Sequence, residues 1–128
     1  MLAYEEIFNK VLAPLNSWIA RTVDDKYIER HTIFTTMQDC HEYHSKILST
    51  ADNNPWFSQE IYCKIYEIDE ILDKGLSSAS NELELVEYGE NNYELLLKNT
   101  RQLSALYKKD IYELYKVDDF FNEHHFKD

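Results

Sequence analysis

The most restrictive feature of this sequence is the near absence of the two residues that interrupt helices. The chain has 128 residues and contains only two Gly and two Pro. All-β folds need Gly and Pro at their many turns, so this scarcity favours long helices. The apolar residues agree, because most of them recur at intervals of three or four, which is the spacing of one helix face. The sequence therefore predicts an all-α fold.

Two helices are expected in the first half of the chain. The first covers residues 3–20, with a kink or short break at Pro14, which cannot donate a helical hydrogen bond. The second follows an N-cap sequence, Thr22-Val23-Asp24-Asp25, and runs to about residue 49. The apolar stripe of the first helix is Tyr4, Ile7, Phe8, Val11, Leu15, Trp18 and Ile19, and that of the second is Tyr27, Ile33, Phe34, Met37, Cys40, His44, Ile47 and Leu48.

A third helix is expected after the polar loop 49–54. Asn54-Pro55 provides a cap followed by proline at the first helical position. Gly75 is expected to end this helix as the glycine just after its last turn. The apolar face consists of Phe57, Ile61, Ile65, Ile68 and Leu72.

The fourth helix is preceded by an ambiguous segment, residues 82–92. Leu83 and Leu85 alternate with glutamates, as they would in a strand, and Gly89 could begin a hairpin turn. An isolated hairpin is only marginally stable, so we expect a helix that is capped by Ser80 and broken at Gly89. From residue 93 onward one face is formed by Leu96, Thr100, Leu103, Tyr107, Leu114 and Val117.

Short loops between long helices place consecutive helices antiparallel. The predicted architecture is an up-and-down bundle of four main helices, with a possible short hairpin or helix break near 82–92. A length of 128 residues corresponds to a single helical domain, 1–128.

The cysteine content and the hydropathy predict the cellular compartment. Cys40 and Cys63 lie on predicted helices and do not form a disulfide framework. The N-terminus lacks the basic and apolar regions of a signal peptide, and no apolar run is long enough to cross a membrane. We therefore expect a cytoplasmic protein with reduced thiols that does not associate with a membrane.

A few residues have the side chains that metal binding or catalysis needs. Cys40 and His44 are four residues apart on one helix face, and Cys63 and His31 could add ligands to them. Both positions of the pair also fall on the predicted core stripe, where a cysteine behaves as a small apolar residue. The spacings of known metal and nucleophile motifs are absent. The sequence predicts no catalytic residue, metal or cofactor, and a metal-binding bundle is kept as an alternative.

The charge is concentrated in one part of the chain. The net charge is −11, and residues 66–97 contribute −8 of it through nine carboxylates and one base, Lys74. Residues 98–128 carry as many bases as acids. A field of this sign repels nucleic acid and attracts basic proteins. Four apolar or aromatic residues within the acidic span could provide the anchors on which affinity depends: Tyr66, Tyr88, Tyr93 and Leu85.

These observations lead to a hypothesis of a non-enzymatic protein that binds and neutralises a basic protein partner. Its biological form would be an immunity protein against a bacterial nuclease toxin, since nucleases are basic and their inhibitors are small and acidic. Direct nucleic-acid binding is not expected. The predicted partner-binding residues are Asp69, Asp73, Glu82, Glu84, Glu87, Tyr88, Glu90, Tyr93 and Glu94.

Two other interpretations of the acidic span remain open at this stage. A phage-encoded nucleic-acid mimic that inhibits a restriction or CRISPR enzyme would also be acidic, although it would spread its charge along the whole molecule. The span could also be a solvated face without a partner, because net charge alone is common on proteins.

Overall fold

The computed structural model describes the backbone of residues 2–125 and the side chains of residues 4–114 and of Lys116. This part of the chain is mostly helical, as predicted, but it also contains a two-stranded antiparallel sheet. The predicted four-helix up-and-down bundle is not confirmed, because five helices and a hairpin are present. The helices are α1 (Leu2–Glu6, Ile7–Leu12 and Ala13–Leu15), α2 (Met37–Asp52), α3 (Gln59–Ser78), α4 (Glu82–Asn91) and α5 (Tyr93–His125), and the strands are β1 (Trp18–Val23) and β2 (Lys26–His31).

The main correction to the sequence prediction concerns residues 18–31. These residues were expected to end one helix and begin the next, but they form the hairpin β1–β2. The strands are joined by Asp24 and Asp25, which both have positive φ, 51° and 61°. Two such residues form the turn whose twist matches a right-handed hairpin, and Asp is one of the few residues besides Gly and Asn that tolerates this conformation. The Asp pair interpreted as a helix start is therefore a hairpin turn.

Helix α1 deviates from α-helical geometry before its proline. Its middle segment, Ile7–Leu12, is π-helical, and the helix ends at Leu15 rather than at residue 20. In regular α-helical geometry the ring of Pro14 would clash with the carbonyl of Lys10, and the wider π turn provides an alternative geometry at this point. The predicted disturbance at Pro14 is thus present as a π segment followed by an early helix end.

The ends of α3 differ from the prediction at both sides. The helix begins at Gln59, with Ser58 as its N-cap, because the Ser58 hydroxyl accepts a hydrogen bond from the backbone N–H of Ile61. Asn54 is not the N-cap of α3; its side chain donates to the Thr50 carbonyl in the last turn of α2 and to the Glu6 carboxylate. Gly75 does not end the helix, which continues to Ser78.

Residues 82–92 form a helix, so the hairpin alternative is wrong. Asn81, rather than Ser80, is the N-cap, since its side chain accepts from the N–H of Glu84. The carboxylate of Glu84 accepts in return from the N–H of Ser80. The break before α5 occurs at Asn92, whereas Gly89 lies inside α4.

The apolar core lies between the helices, and it includes most of the predicted stripes. Ile61, Ile65, Ile68 and Leu72 of α3 are fully buried, as predicted. The exceptions are Phe8 on α1, which is 48% exposed, and three residues of the hairpin: Trp18, Ile19 and Tyr27 are 57%, 38% and 72% exposed. The side chain of Val117 is outside the described residues. The other buried apolar residues are Tyr4, Ile7, Val11, Leu12, Leu15, Ile33, Phe34, Cys40, Tyr43, Ile47, Ala51, Phe57, Ile71, Leu85, Leu96 and Leu103.

Gly89 allows α4 to lie directly on Phe34, a fully buried side chain. A Cβ at residue 89 would come within 2.6 Å of the Phe34 Cβ and 2.8 Å of its Cγ. These atoms are next to the backbone and cannot swing away. We expect Gly89→Ala to lower the free energy of unfolding by about 1–3 kcal/mol, the usual effect of overpacking a core, despite the better helix propensity of Ala.

Urea unfolding followed by circular dichroism measures this effect. Asn91→Ala is the matched control, since residue 91 is on the exposed side of the same helix and its change should remain within about 0.5 kcal/mol. A Gly89→Ala protein as stable as the wild type would contradict the close packing of α4 on Phe34.

Candidate functional site

The acidic span occupies the second half of α3, all of α4 and the start of α5. The nine predicted partner-binding residues fall into two groups there. One group is exposed to solvent, and the other is partly buried and contacts other elements of the chain. The exposed residues are Asp73, Glu82, Glu84, Glu87 and Glu94, and the partly buried ones are Asp69, Tyr88, Glu90 and Tyr93.

Asp69 links α3 to α2. Its Oδ1 lies 2.7 Å from Nε2 of His44, and the Oδ1 of Asp73 lies 4.0 Å from the same nitrogen. Burial raises the pKa of Asp69, His44 opposes this rise, and the neighbouring Asp73 adds to it. Asp69 therefore serves an interhelical contact, while Asp73, whose side chain is 67% exposed, faces solvent.

Glu90 connects α4 to the hairpin. Its two carboxylate oxygens accept hydrogen bonds from Nε and Nη2 of Arg21, over 2.5 and 2.7 Å. The Glu90 side chain is only 7% exposed. A two-point contact of this kind orients both side chains. Glu90 is thus engaged within the molecule, and its partner lies 69 residues away in the sequence.

The two predicted tyrosines also have internal partners. The Tyr88 ring packs edge-on against Phe34, and its hydroxyl donates to the carbonyl of Ile71. The Tyr93 ring lies 4.9 Å from the ring of His31, centroid to centroid. Burial and the nearby Glu29 raise the pKa of Tyr93 to about 12. Both rings therefore help to hold α4 and α5 in place.

A cleft of about 340 Å³ lies where α3 meets the junction of α4 and α5. Its acidic rim is largely neutralised, because Lys64 pairs with Glu67 at 2.6 Å and Lys74 pairs with Glu70 at 3.3 Å. The cleft is thus a mixed surface rather than an acidic one. Its lining consists of Glu67, Glu70, Ile71, Lys74, Tyr88, Asn92, Leu95 and Asn99.

Within the acidic span, several exposed carboxylates of α4 and of the first turn of α5 are not part of an ion pair. Glu82, Glu87 and Glu94 have no basic group within ion-pair distance among the described side chains. Leu83, which is 65% exposed, lies one helical turn before Glu87 on α4, and Leu95, which is 48% exposed, lines the cleft. The exposed residues Glu82, Leu83, Glu87, Glu94 and Leu95 of this segment are called here the α4 acidic face.

Leu83 and Leu95 were not among the predicted partner-binding residues, whereas Leu85 was considered as a possible anchor. Leu85 is fully buried and belongs to the core. The spacing of Leu85, Gly89 and Leu96 fits one buried side of a helix, and on such a helix Leu83 lies on the side exposed to solvent. The alternation of Leu and Glu at 82–85 concealed this phase, because it is equally consistent with a strand.

The residues considered for a metal or for nucleophilic catalysis lie in environments that do not favour either chemistry. Cys40 is buried, and burial raises the pKa of its thiol to about 12, which opposes formation of the reactive thiolate. Cys63 is exposed on α3, and neither cysteine forms a disulfide. His44 is paired with Asp69, and His31 with the Tyr93 ring. Within the described residues, no three His, Cys, Asp or Glu side chains form a group that could hold a metal ion.

No helix in residues 2–125 combines the length and the apolar character needed to span a membrane. Comparison of the chain with protein-family models, with curated proteins and with solved structures found no match.

Burial of His31 makes stability depend on pH. The side chain is 1% exposed, and burial lowers its pKa from 6.5 to about 4. The folded protein thus disfavours the protonated imidazole, so the associated stability is present above pH 6.5 and is lost as the pH falls towards 4. The shift corresponds to about 3 kcal/mol at most.

The variant His31→Leu isolates this contribution. Its free energy of unfolding, from urea titrations at about pH 8 and pH 4.5, should fall less between the two values than that of the wild type. The measurement at the higher pH serves as the internal control, because it records the cost of the substitution without titration. An equal decline in both proteins would mean that His31 is not buried as the structure shows.

Proposed function

We propose that this chain is a non-enzymatic protein that binds and neutralises a basic protein partner through the α4 acidic face. The observation that carries the proposal is the presence of unpaired, solvent-exposed carboxylates around the exposed side chain of Leu83. A solvated face usually intersperses charges of both signs, and ion pairs do occur elsewhere on this molecule, as in Lys64–Glu67.

The two kinds of residue on this face have different roles in association. Carboxylates accelerate encounter with a basic protein and exclude acidic ones. The apolar side chains supply the contact area that holds the complex together once water has been removed from it. Leu83 and Leu95 are exposed and can provide that area; in the sequence Leu83 lies between Glu82 and Glu87, and Leu95 follows Glu94.

The biological form that we propose is an immunity protein for a bacterial nuclease toxin. A nuclease presents a basic surface because it binds phosphates, so an acidic protein can cover its site. A nucleic-acid mimic for a restriction or CRISPR enzyme would need its charge spread over the molecule. The balanced charge of residues 98–128 favours a local acidic face over such a mimic.

The structure indicates which carboxylates a binding experiment should change. Glu90 holds Arg21, and the Glu84 carboxylate accepts from the Ser80 N–H at the start of α4, so substitution of either one would alter the fold as well as the surface. Glu87 and Glu94 form no ion pair or side-chain hydrogen bond among the described residues, although the Glu87 charge contributes to raising the pKa of Arg21. The double variant Glu87→Lys/Glu94→Lys should retain the helical circular dichroism spectrum and weaken capture of the basic partner by about tenfold or more.

The double variant Glu5→Lys/Glu113→Lys is the matched control, since both positions are exposed and lie outside the acidic span. It changes the net charge by the same amount. Affinity capture from the source organism, at low and at high salt, followed by mass spectrometry and a nuclease assay of the captured protein, compares the three chains. Equal capture by all three, or a captured protein without a basic surface, would refute the proposal.

A further inference from the structure

The hairpin has one covered edge and one open edge. β2 lies between β1 and the helices, and it packs against α4 and α5. Five of the six residues of β1 are exposed, and Ala20 is partly buried. The outer edge of β1 therefore faces solvent. An uncovered edge strand presents unpaired N–H and C=O groups, to which another strand can bind.

The register of the hairpin shows which backbone groups lie on the open edge. Ser17 and Thr32 lie opposite each other, one residue outside the pair Trp18–His31. The Thr32 N–H donates to the Ser17 carbonyl. In an antiparallel pair this bonding alternates along the strand, so Ile19, Arg21 and Val23 also bond to β2. The N–H and C=O groups of the three remaining residues, Trp18, Ala20 and Thr22, point outward.

This edge lacks the usual features that prevent strands from pairing. β1 contains no proline, no lysine and no bulge, and its single charge, on Arg21, is engaged by Glu90. Trp18 is 57% exposed, and Ile19 and Val23 are 38% and 36% exposed. A strand that bound here would cover apolar side chains as well as satisfy backbone groups.

We propose that β1 pairs with β1 of a second copy of this chain and forms a four-stranded antiparallel sheet. The two-fold axis passes beside Ala20, so that Ala20 faces its own copy, Trp18 faces Thr22 and Ile19 faces Arg21. This register satisfies the outward groups of Trp18, Ala20 and Thr22 on both copies. It places no two charges of the same sign directly opposite each other.

The charge distribution favours a second copy over a basic protein as the occupant of this edge. Residues 18–31 contain three basic and three acidic residues, so the hairpin is neutral in a chain of charge −11. Two copies would meet here through a segment without net charge, whereas a basic partner is attracted to the acidic span instead. The proposal does not depend on the proposed function, because β1 contributes nothing to the α4 acidic face.

Ala20→Lys is the variant that tests the pairing without opening the hairpin. Glu29 is the cross-strand neighbour of Ala20 within the chain, so a lysine at residue 20 gains an opposite charge there. In the dimer it would face a second lysine across the axis. Thr22→Pro removes an outward N–H that the hairpin does not use, and Thr22→Ala, which keeps this N–H, is its matched control.

Sedimentation equilibrium over the micromolar range measures the result. The wild type and Thr22→Ala should approach twice the 15.3 kDa mass of one chain with rising concentration. Ala20→Lys and Thr22→Pro should raise the dimer dissociation constant by at least about tenfold, because a single strand pair is a small interface. In a Trp56→Phe background the fluorescence of Trp18 should shift to the blue as the wild-type edge pairs.

Three outcomes would overturn the proposal. The first is a wild type that remains monomeric at all concentrations, without a shift of Trp18 fluorescence. The second is a dimer that persists unchanged in Ala20→Lys, since the contact would then lie elsewhere. The third is a wild type that remains monomeric but captures another protein, when the Ala20→Lys variant no longer captures it. The edge would then bind a strand of another protein.

Discussion

The close approach of α4 to Phe34 at Gly89 is the constraint on which the surrounding structure depends. Without a side chain at residue 89, the helix backbone lies on the core, and its neighbours reach three other elements. Tyr88 extends to α3, Glu90 to Arg21 of the hairpin, and Tyr93 to His31. The absence of a Cβ at residue 89 thus allows the segment 88–93 to connect the hairpin with the helices.

This arrangement divides an acidic sequence into structural and solvent-exposed carboxylates. Asp69 and Glu90 are held by His44 and Arg21, which makes them parts of the fold. Glu87 and Glu94 have no comparable partner among the described side chains, and their charge projects into solvent. The opposite charges of an ion pair largely cancel at a distance. The exposed, unpaired carboxylates therefore dominate the electrostatic field that acts on an approaching protein.

The hairpin and the acidic span have opposite electrostatic character, and this separates two kinds of association. The hairpin is neutral and exposes backbone groups and aromatic rings, which suit pairing with an identical strand. The α4 acidic face exposes charge with a few leucines, which suits a basic partner of different shape. The bond between Arg21 and Glu90 connects the two regions, so the position of the hairpin relative to α4 is defined.

The sequence by itself determined the helical character of the chain and much of its core. The three-four spacing of Ile61, Ile65, Ile68 and Leu72 is local information, and all four are buried. Tertiary structure decided the rest. Asp24-Asp25 suits a helix start and a hairpin turn equally well, and the docking of β2 against α4 and α5 distinguishes them. Likewise, the role of Glu90 depends on Arg21, 69 residues away, because only folding brings distant charges together.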